Sequence, residues 1–484
     1  MEKISRYMLA ILLTAFVIIL CACSVKERQE KNYIDEDSNA LQMDVDFGEP
    51  LRVFYEDAGL LMNFSNLYPD IELELCKIFP NWENEELDIE YWAEKCGDPD
   101  IVLLNDQGGF DLEEEYEKGQ VEDIGKYCAE DETLVESNYV GGTFEILNNG
   151  EAIMGLPLSW YKQCLIVKES ELMNSELEAL PENYTGQEFF TALVTEIKKD
   201  QYAEKFCWLD PIYFYSSLRE VAPRQDGKFE MDEEMFKVLF EFSVQNEINY
   251  EEAKGVFEEV YGDFGAHCRK TQGKPALDPD LCRGGYYGTY LMGAPQVMAI
   301  YAKSVAAMDQ EDVEFFWIPT ADNGNEYVGL IRDYAFIGKN SARKQQAYEV
   351  IRMMMDMPVT IMTQPSGVGS EIYSSVNIEQ SLESLDYFNS LEQELNIWNR
   401  AGDLFYKLDQ QKLSENELEG IRRVIKGISR LYVDLSPENN LELIACYNDY
   451  MSLCIENGKI DHTICYAEMQ EYFTSKDEAT KNHN

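Results

Sequence analysis

The chain has 484 residues, with 91 Asp and Glu against 40 Lys and Arg and a formal net charge of −51. An acidic surface without a basic patch excludes nucleic acid as a partner and argues against a strongly anionic ligand, so the excess acid reads as solvated surface. Three histidines (His267, His462, His483) and twelve cysteines without a Cys-x-x-Cys pair give no zinc-type cluster, and no metal or cofactor is expected.

The amino terminus carries Lys3 and Arg6, then an apolar run from Met8 to Leu20 broken by Thr14. That run is short for a membrane span and fits the core of a signal peptide. A plain secretory signal and a single anchor helix are the alternatives. The run ends in Leu20-Cys21-Ala22-Cys23, which resembles a bacterial lipobox. The resemblance implies removal of residues 1–22 and lipidation of Cys23, with acyl chains holding the protein on the outer face of the cell membrane. Residues 23–49 are polar and charged and read as a lipidated amino terminus and flexible tether. The roughly 430 residues that remain suit about two domains.

Leu51–Tyr55 predicts a first strand, and Ile71–Leu75 a second, which alternates apolar with acidic residues as if one face were buried. Glu86–Cys96 predicts a helix. Ile101-Val102-Leu103-Leu104 follows Asp100 and predicts a strand buried on both faces, ending in the polar turn Asn105-Asp106-Gln107-Gly108-Gly109. Strand, helix, strand, helix, strand points to an α/β fold with a parallel sheet. Thr185-Gly186-Gln187-Glu188 is a capping box, and Phe189, Phe190, Leu193 and Ile197 form the apolar stripe of the helix it starts. Ala347, Val350, Ile351 and Met354 share another helical face. Residues 378–473 read as helical with few strands, and 474–484 as a disordered tail. Most cysteines read as small buried hydrophobes. Cys268 with Cys282 and Cys446 with Cys454 stand as possible disulfides that sequence alone leaves undecided.

Several segments in order resemble the extracellular solute-binding proteins of family 1, the sugar-type receptors of ABC importers. They are Tyr68-Pro69-Asp70-Ile71, Asp98-Pro99-Asp100-Ile101-Val102 and Gly119-Gln120-Val121-Glu122-Asp123-Ile124 in the first part. Glu151–Leu158 resembles the family's short hairpin ending in a hinge, and Trp160–Lys168 the strand that opens its second lobe. Phe206–Phe214 resembles a second-lobe loop that meets sugar. Leu291–Tyr301 resembles a helix-to-strand turn, Phe315–Pro319 a strand ending in proline, and Gly329–Ile337 a strand that recrosses between lobes.

The resemblance implies a type II periplasmic-binding-protein-like fold, two lobes joined by a hinge, with a helical carboxyl-terminal part. It places lobe 1 at 50–156 with about 288–330, and lobe 2 at 157–287 with about 331–473. It implies a small-molecule ligand, a carbohydrate and most simply an oligosaccharide, and partnership with ABC permease subunits.

Ligands of open α/β sheets sit beyond the carboxyl ends of strands. A neutral polyol needs flat aromatic faces for its C–H surfaces and carboxylates, amides or arginine for its hydroxyls. The candidates of those types are Asn105 and Asp106, Trp160, then Trp208, Asp210 and Tyr213, then Tyr301, Arg332 and Tyr334. Each also has a plainer role in packing, and Arg332 and Asp333 also read as a pair with each other. No Gly-x-Ser-x-Gly, P-loop, His-Glu-x-x-His or dinucleotide fingerprint occurs, so no catalytic residues are assigned and the chain is not read as an enzyme. A receptor for peptide, polyamine or metal chelate stays open, as does a surface hydrolase or sensor lipoprotein.

Overall fold

The computed structural model describes residues 48–56, 58–78, 89–105, 110, 112–199, 224–225, 228–229, 232–241, 289–293, 295–307, 310, 312–320, 323–357, 374–392, 394–398, 404–432, 462–467 and 470–471. The signal peptide, Cys23, nearly all of the tether, the tail and both suggested disulfide pairs lie outside the described residues. No helix among the described residues is long and apolar enough to cross a membrane.

The fold is α/β. The first part runs β1 (Leu51–Tyr55), α1 (Gly59–Leu67), β2 (Leu73–Lys77), α2 (Ile89–Cys96), β3 (Ile101–Asn105), α3 (Leu112–Glu117) and α4 (Gly125–Glu130). Next come β4 (Leu156–Lys168), α5 (Glu169–Leu172), α6 (Gly186–Lys198) and the short pair β5 (Arg224–Gln225) and β6 (Lys228–Phe229). Then follow β7 (Thr289–Gly293), α7 (Pro295–Ala306), β8 (Val313–Trp317), β9 (Tyr327–Ile337) and α8 (Lys344–Met355). The chain closes with β10 (Ser374–Ser375), α9 (Ile378–Ser390), β11 (Glu394–Trp398), β12 (Leu404–Asp409), α10 (Glu415–Lys426) and β13 (Ile428–Tyr432).

The main sheet has the order β10-β4-β9-β3-β1-β2, with β13 on β9 and β7 and β8 on β4. β2, β1 and β3 are parallel, as the alternation of strands and helices predicts. All four apolar residues of β3 are at most 2% exposed, which is why an unbroken apolar run is stable there. β9 turns the sheet mixed: it lies antiparallel to β3 and to β4.

β4 and β9 are long, and their two ends keep different company. Leu156–Tyr161 of β4 pairs with β9, whereas Lys162–Lys168 pairs with β7 and β8. Asp333–Ile337 of β9 pairs with β3, whereas Tyr327–Leu330 pairs with β13. Both strands thus run from one set of neighbours to another. Two register shifts, on either side of Ser159, interrupt the β4–β9 ladder where the change occurs.

Residues 289–317 supply neighbours to the carboxyl-terminal half of β4, and 333–337 join β3. The carboxyl-terminal part holds α9 and α10 with the short strands β11, β12 and β13. Two expectations are corrected. Leu291–Tyr301 is a strand followed by a helix, the reverse of the order expected. Finally, β2 starts at Leu73 and is an edge strand, with Leu75 46% exposed, so its apolar residues are not a buried face.

The helices follow their sequence signals. Thr185 and Glu188 close the capping box of α6, and Phe189, Phe190, Leu193 and Ile197 are buried. Asn377 caps α9 by accepting from the N–H groups of Glu379 and Gln380, and Ser414 with Glu417 makes a second capping box on α10. Ala347, Val350, Ile351 and Met354 of α8 are buried, as their spacing predicts.

Candidate functional site

β1 and β3 are parallel, so their carboxyl ends lie side by side. Glu56 follows β1 directly. Its N–H donates to the carbonyl of Leu103 (3.3 Å), and its Oε2 accepts from the backbone N–H of Asn105 (3.2 Å). Asn105 ends β3 opposite Asp333 on β9, and partners in register share a sheet face. Asp333 is buried, and its Oδ2 accepts from the hydroxyl of Ser159 on β4 (2.5 Å). Ser159 lies between the two register shifts, and such irregularities re-aim side chains.

The result is a polar row across four neighbouring strands: Glu56, Asn105, Asp333, Ser159. It stands at the carboxyl ends of β1 and β3, where open α/β sheets bind their ligands. Two carboxylates offer acceptors, and the amide and hydroxyl offer both donors and acceptors. This set suits hydroxyl- or amine-bearing ligands and repels anions. Among the described residues no group of His, Cys, Asp and Glu is arranged to hold a metal ion.

The opposite ends of these strands are pinned by buried charge. The Asp100 carboxylate accepts from the Arg52 N–H (2.8 Å), the Ser341 hydroxyl (2.6 Å) and the Arg343 guanidinium. Glu122 is buried and accepts from Lys126 (2.5 Å), Lys344 (2.7 Å) and Lys339 (3.1 Å). Burial opposes its ionisation, but the three ammonium groups prevail and hold its carboxyl at about 2. Farther along α8, buried Arg352 bonds Asp131 (3.0 Å), Tyr139 (2.6 Å) and Asp356 (3.2 Å). Burial, and the carboxylate of Asp356, push the Tyr139 phenol well above its ordinary value, although Arg352 works the other way.

Of the sequence candidates, Asn105 is in the row. Trp160 is placed in the core: it is fully buried, and its indole N–H donates to the carbonyl of Ser375 (2.8 Å). Gly329 makes room for that ring, since a Cβ there would stand 3.2 Å from Trp160 Cε3 and 2.9 Å from Leu431 Cδ2. Tyr334 is also buried, across from Leu104 and Pro157, on the face of β9 away from Asp333. Both rings are buried where β4 and β9 pair. Arg332 is half-buried on the same face as Tyr334, so strand alternation turns it away from Asp333. Asp106, Trp208, Asp210 and Tyr213 lie outside the described residues, as does the side chain of Tyr301, whose backbone is in α7.

Glu56, Ser159 and Asp333 are not among the sequence candidates. The rule that selected Asn105, a polar residue at a strand's carboxyl end, applies equally to Glu56. Asp333 and Ser159 carry no such local signal, because strand pairing alone brings them there.

No protein-family model matches the chain, and no curated relative does. Similar solved structures include the sugar-binding protein MalE of Xanthomonas citri, at 13% identity and TM-score 0.49, covering 90% of this chain and 98% of that one. Another is an extracellular solute-binding protein family 1 member from Alicyclobacillus acidocaldarius (12%, TM-score 0.45, covering 90% and 99%). A third is the Thermus thermophilus maltotriose binding protein bound with maltotriose (12%, TM-score 0.42, covering 88% and 99%).

Proposed function

We propose that this chain is an extracellular solute-binding receptor of an ABC importer, anchored on the outer face of the membrane through lipid on Cys23. It takes a carbohydrate, most simply an oligosaccharide, and makes or breaks no covalent bond. The observation that carries the reading is the row Glu56, Asn105, Asp333 and Ser159 at the carboxyl ends of parallel strands, beside two long strands that change neighbours at that point. Such strands are a natural hinge, and closure around the ligand would present the loaded protein to permease subunits. The carboxylates accept ligand hydroxyls, the Asn105 amide donates and accepts, and the net charge of −51 turns away anions. Trp208, Asp210 and Tyr213 are proposed as the second wall, supplying a ring face and a further carboxylate.

The test is calorimetry on the folded protein against a panel of neutral oligosaccharides, peptides, polyamines and metal chelates. Saturable binding of an oligosaccharide alone supports the reading. Binding of a polyamine or peptide in its place keeps the receptor and replaces the ligand. Turnover of a glycoside, abolished by one carboxylate substitution, would replace the receptor by a hydrolase. For the anchor, Cys23→Ser should release the protein from membranes to the medium, and retention of the variant would refute lipidation at this residue.

A further inference from the structure

Residues 139–142 link β13 to the strands that cross it. The Val140 N–H donates to the carbonyl of Val376 (3.0 Å), and the Gly141 N–H, one residue on, to the carbonyl of Ile428 (2.9 Å). Val376 N–H in turn donates to the carbonyl of Leu158 on β4 (3.3 Å). β13, which starts at Ile428, pairs with Tyr327–Leu330 of β9, and β9 pairs with β4. Backbone hydrogen bonds therefore run in a closed circuit: β4, Val376, the link, β13, β9 and back to β4. Trp160 of β4 is buried against two other strands of the circuit region, with its indole N–H on the Ser375 carbonyl of β10 and its ring beside Gly329 of β9. Where the link meets β13, backbone touches backbone. A Cβ on Gly141 would stand 2.3 Å from the carbonyl oxygen of Ser429, and one on Gly142 2.7 Å from the nitrogen of Leu431. Gly142 also has φ +85°, which glycine adopts without strain. The start of the link is held firmly. Tyr139 forms an antiparallel bridge with Asn377, and its hydroxyl donates to Asp356 (2.7 Å) and accepts from Arg352 of α8 (2.6 Å). α8 is itself tied to the first part of the chain, through Lys344 and Glu122 (2.7 Å).

We propose that this circuit is the pivot of the hinge, and that the contact of Gly141 and Gly142 with β13 sets the balance between an open and a closed form. The inference rests on the receptor reading, in which the two sets of neighbours turn about β4 and β9. Any such turn moves β13, which is paired with one end of β9, against a link fixed to α8. Close-packed groups slide or separate and do not compress, so backbones in direct contact do not yield gradually. The form in which they fit is favoured. A methyl group between them shifts the balance toward the form in which they stand apart. Ligand affinity then changes in step, because it scales with the fraction of the protein already in the binding-competent form. The polar row would thus supply the contacts, and two glycines that touch no ligand would set how much of the contact energy closure consumes.

The full folded chain is first followed by hydrogen exchange and mass spectrometry without ligand. Peptides covering 138–143 and 427–432 should exchange slowly and together, as a closed circuit requires. Gly141→Ala and Gly142→Ala are then compared with the natural chain, beside Tyr139→Phe, which loosens the base of the link without adding bulk. Each is measured by small-angle scattering without ligand and by calorimetry with the ligand that the oligosaccharide, peptide, polyamine and chelate panel identifies. Variants that keep the natural circular dichroism should change Kd by about fivefold or more. Binding should be tighter in a variant whose unliganded form is more compact, and weaker in one whose unliganded form is more extended. Three results would overturn the proposal: fast exchange of 138–143 while β4 and β9 stay protected, Kd within about twofold of the natural value in every folded variant, or a Kd that moves against the compactness. A panel that yields no ligand is a failure of the receptor reading instead, and slow exchange of the circuit would still stand.

Discussion

Glu122→Gln measures how much the foundation under the site depends on charge. Glu122 is 4% exposed and bonded by three lysines, whose own side chains are 25% (Lys344), 46% (Lys339) and 53% (Lys126) exposed. Its carboxyl falls from an ordinary 4.5 to about 2 in the fold. At ~1.4 kcal/mol for each tenfold in acidity, that fall stabilises the native state at pH 7 by about 3 kcal/mol. The folded value is the lower one, so the stabilisation is complete above 4.5 and fades as pH falls toward 2. By the same linkage less than half of it remains at pH 3 and only a small part at pH 2. Glu122→Gln keeps shape and removes charge. Its three lysines reach water when released, so the loss at pH 7 should be about 2–3 kcal/mol, at the lower edge of what breaking a buried pair costs. Urea unfolding of both proteins at pH 7 and pH 3 reads this directly. The gap between them should shrink by about half or more at pH 3. An equal gap at both pH values would show that Glu122 acts through packing and refute the electrostatic argument.

Three further outcomes follow from the same geometry. Asn105→Ala and Asp333→Asn, each measured by calorimetry with the ligand that the panel identifies, should weaken affinity by ~1–3 kcal/mol, the cost of leaving a buried hydrogen-bond partner unmatched. Unchanged affinity in both would remove the polar row from the site. Arg352→Met strands the Asp131 and Asp356 carboxylates and the Tyr139 hydroxyl, and should cost ~3–5 kcal/mol in urea unfolding at pH 7. A loss under about 0.5 kcal/mol would class it with surface ion pairs instead. Gly329→Ala inserts a methyl 2.9 Å from Leu431 Cδ2 and 3.2 Å from Trp160 Cε3. Its overpacking should cost ~1–3 kcal/mol and alter the tryptophan emission of the folded protein, and a neutral or stabilising effect would contradict that packing.

Elements built by neighbours in sequence were legible. β3 declared itself because four adjacent apolar residues have no solvent face to offer, and α6 because Thr185 and Glu188 satisfy each other's backbone three residues apart. The edge strand β2 misled for the same physical reason that makes it an edge. With β1 its one strand neighbour among the described residues, the apolar members of its alternation are not covered, and Leu75 stays exposed. Among the described residues β11 and β12 pair only with each other, and their mixed apolar and polar composition resembles a helical face as readily as a strand. Trp160 and Tyr334 are candidates because a flat ring covers the C–H surface of a sugar, but an aromatic is valued in a core for the same area.

The site itself depends on pairings that no local pattern states. Ser159 and Asp333 are 174 positions apart, and strand alternation turns Arg332 to the other face from its neighbour Asp333. What joins them is direction. β9 runs against β3, so its middle, and not an end, reaches the carboxyl end of β3 and sets Asp333 opposite Asn105. β4 runs against β9 in turn, and the two register shifts fall on either side of the residue that faces Asp333. A hydroxyl is thereby brought to a buried carboxylate at the place where both strands exchange one set of neighbours for another. The polar row and the change of neighbours are consequences of one topology, so in the proposed receptor a ligand on the row would touch the segment whose bending closes the protein.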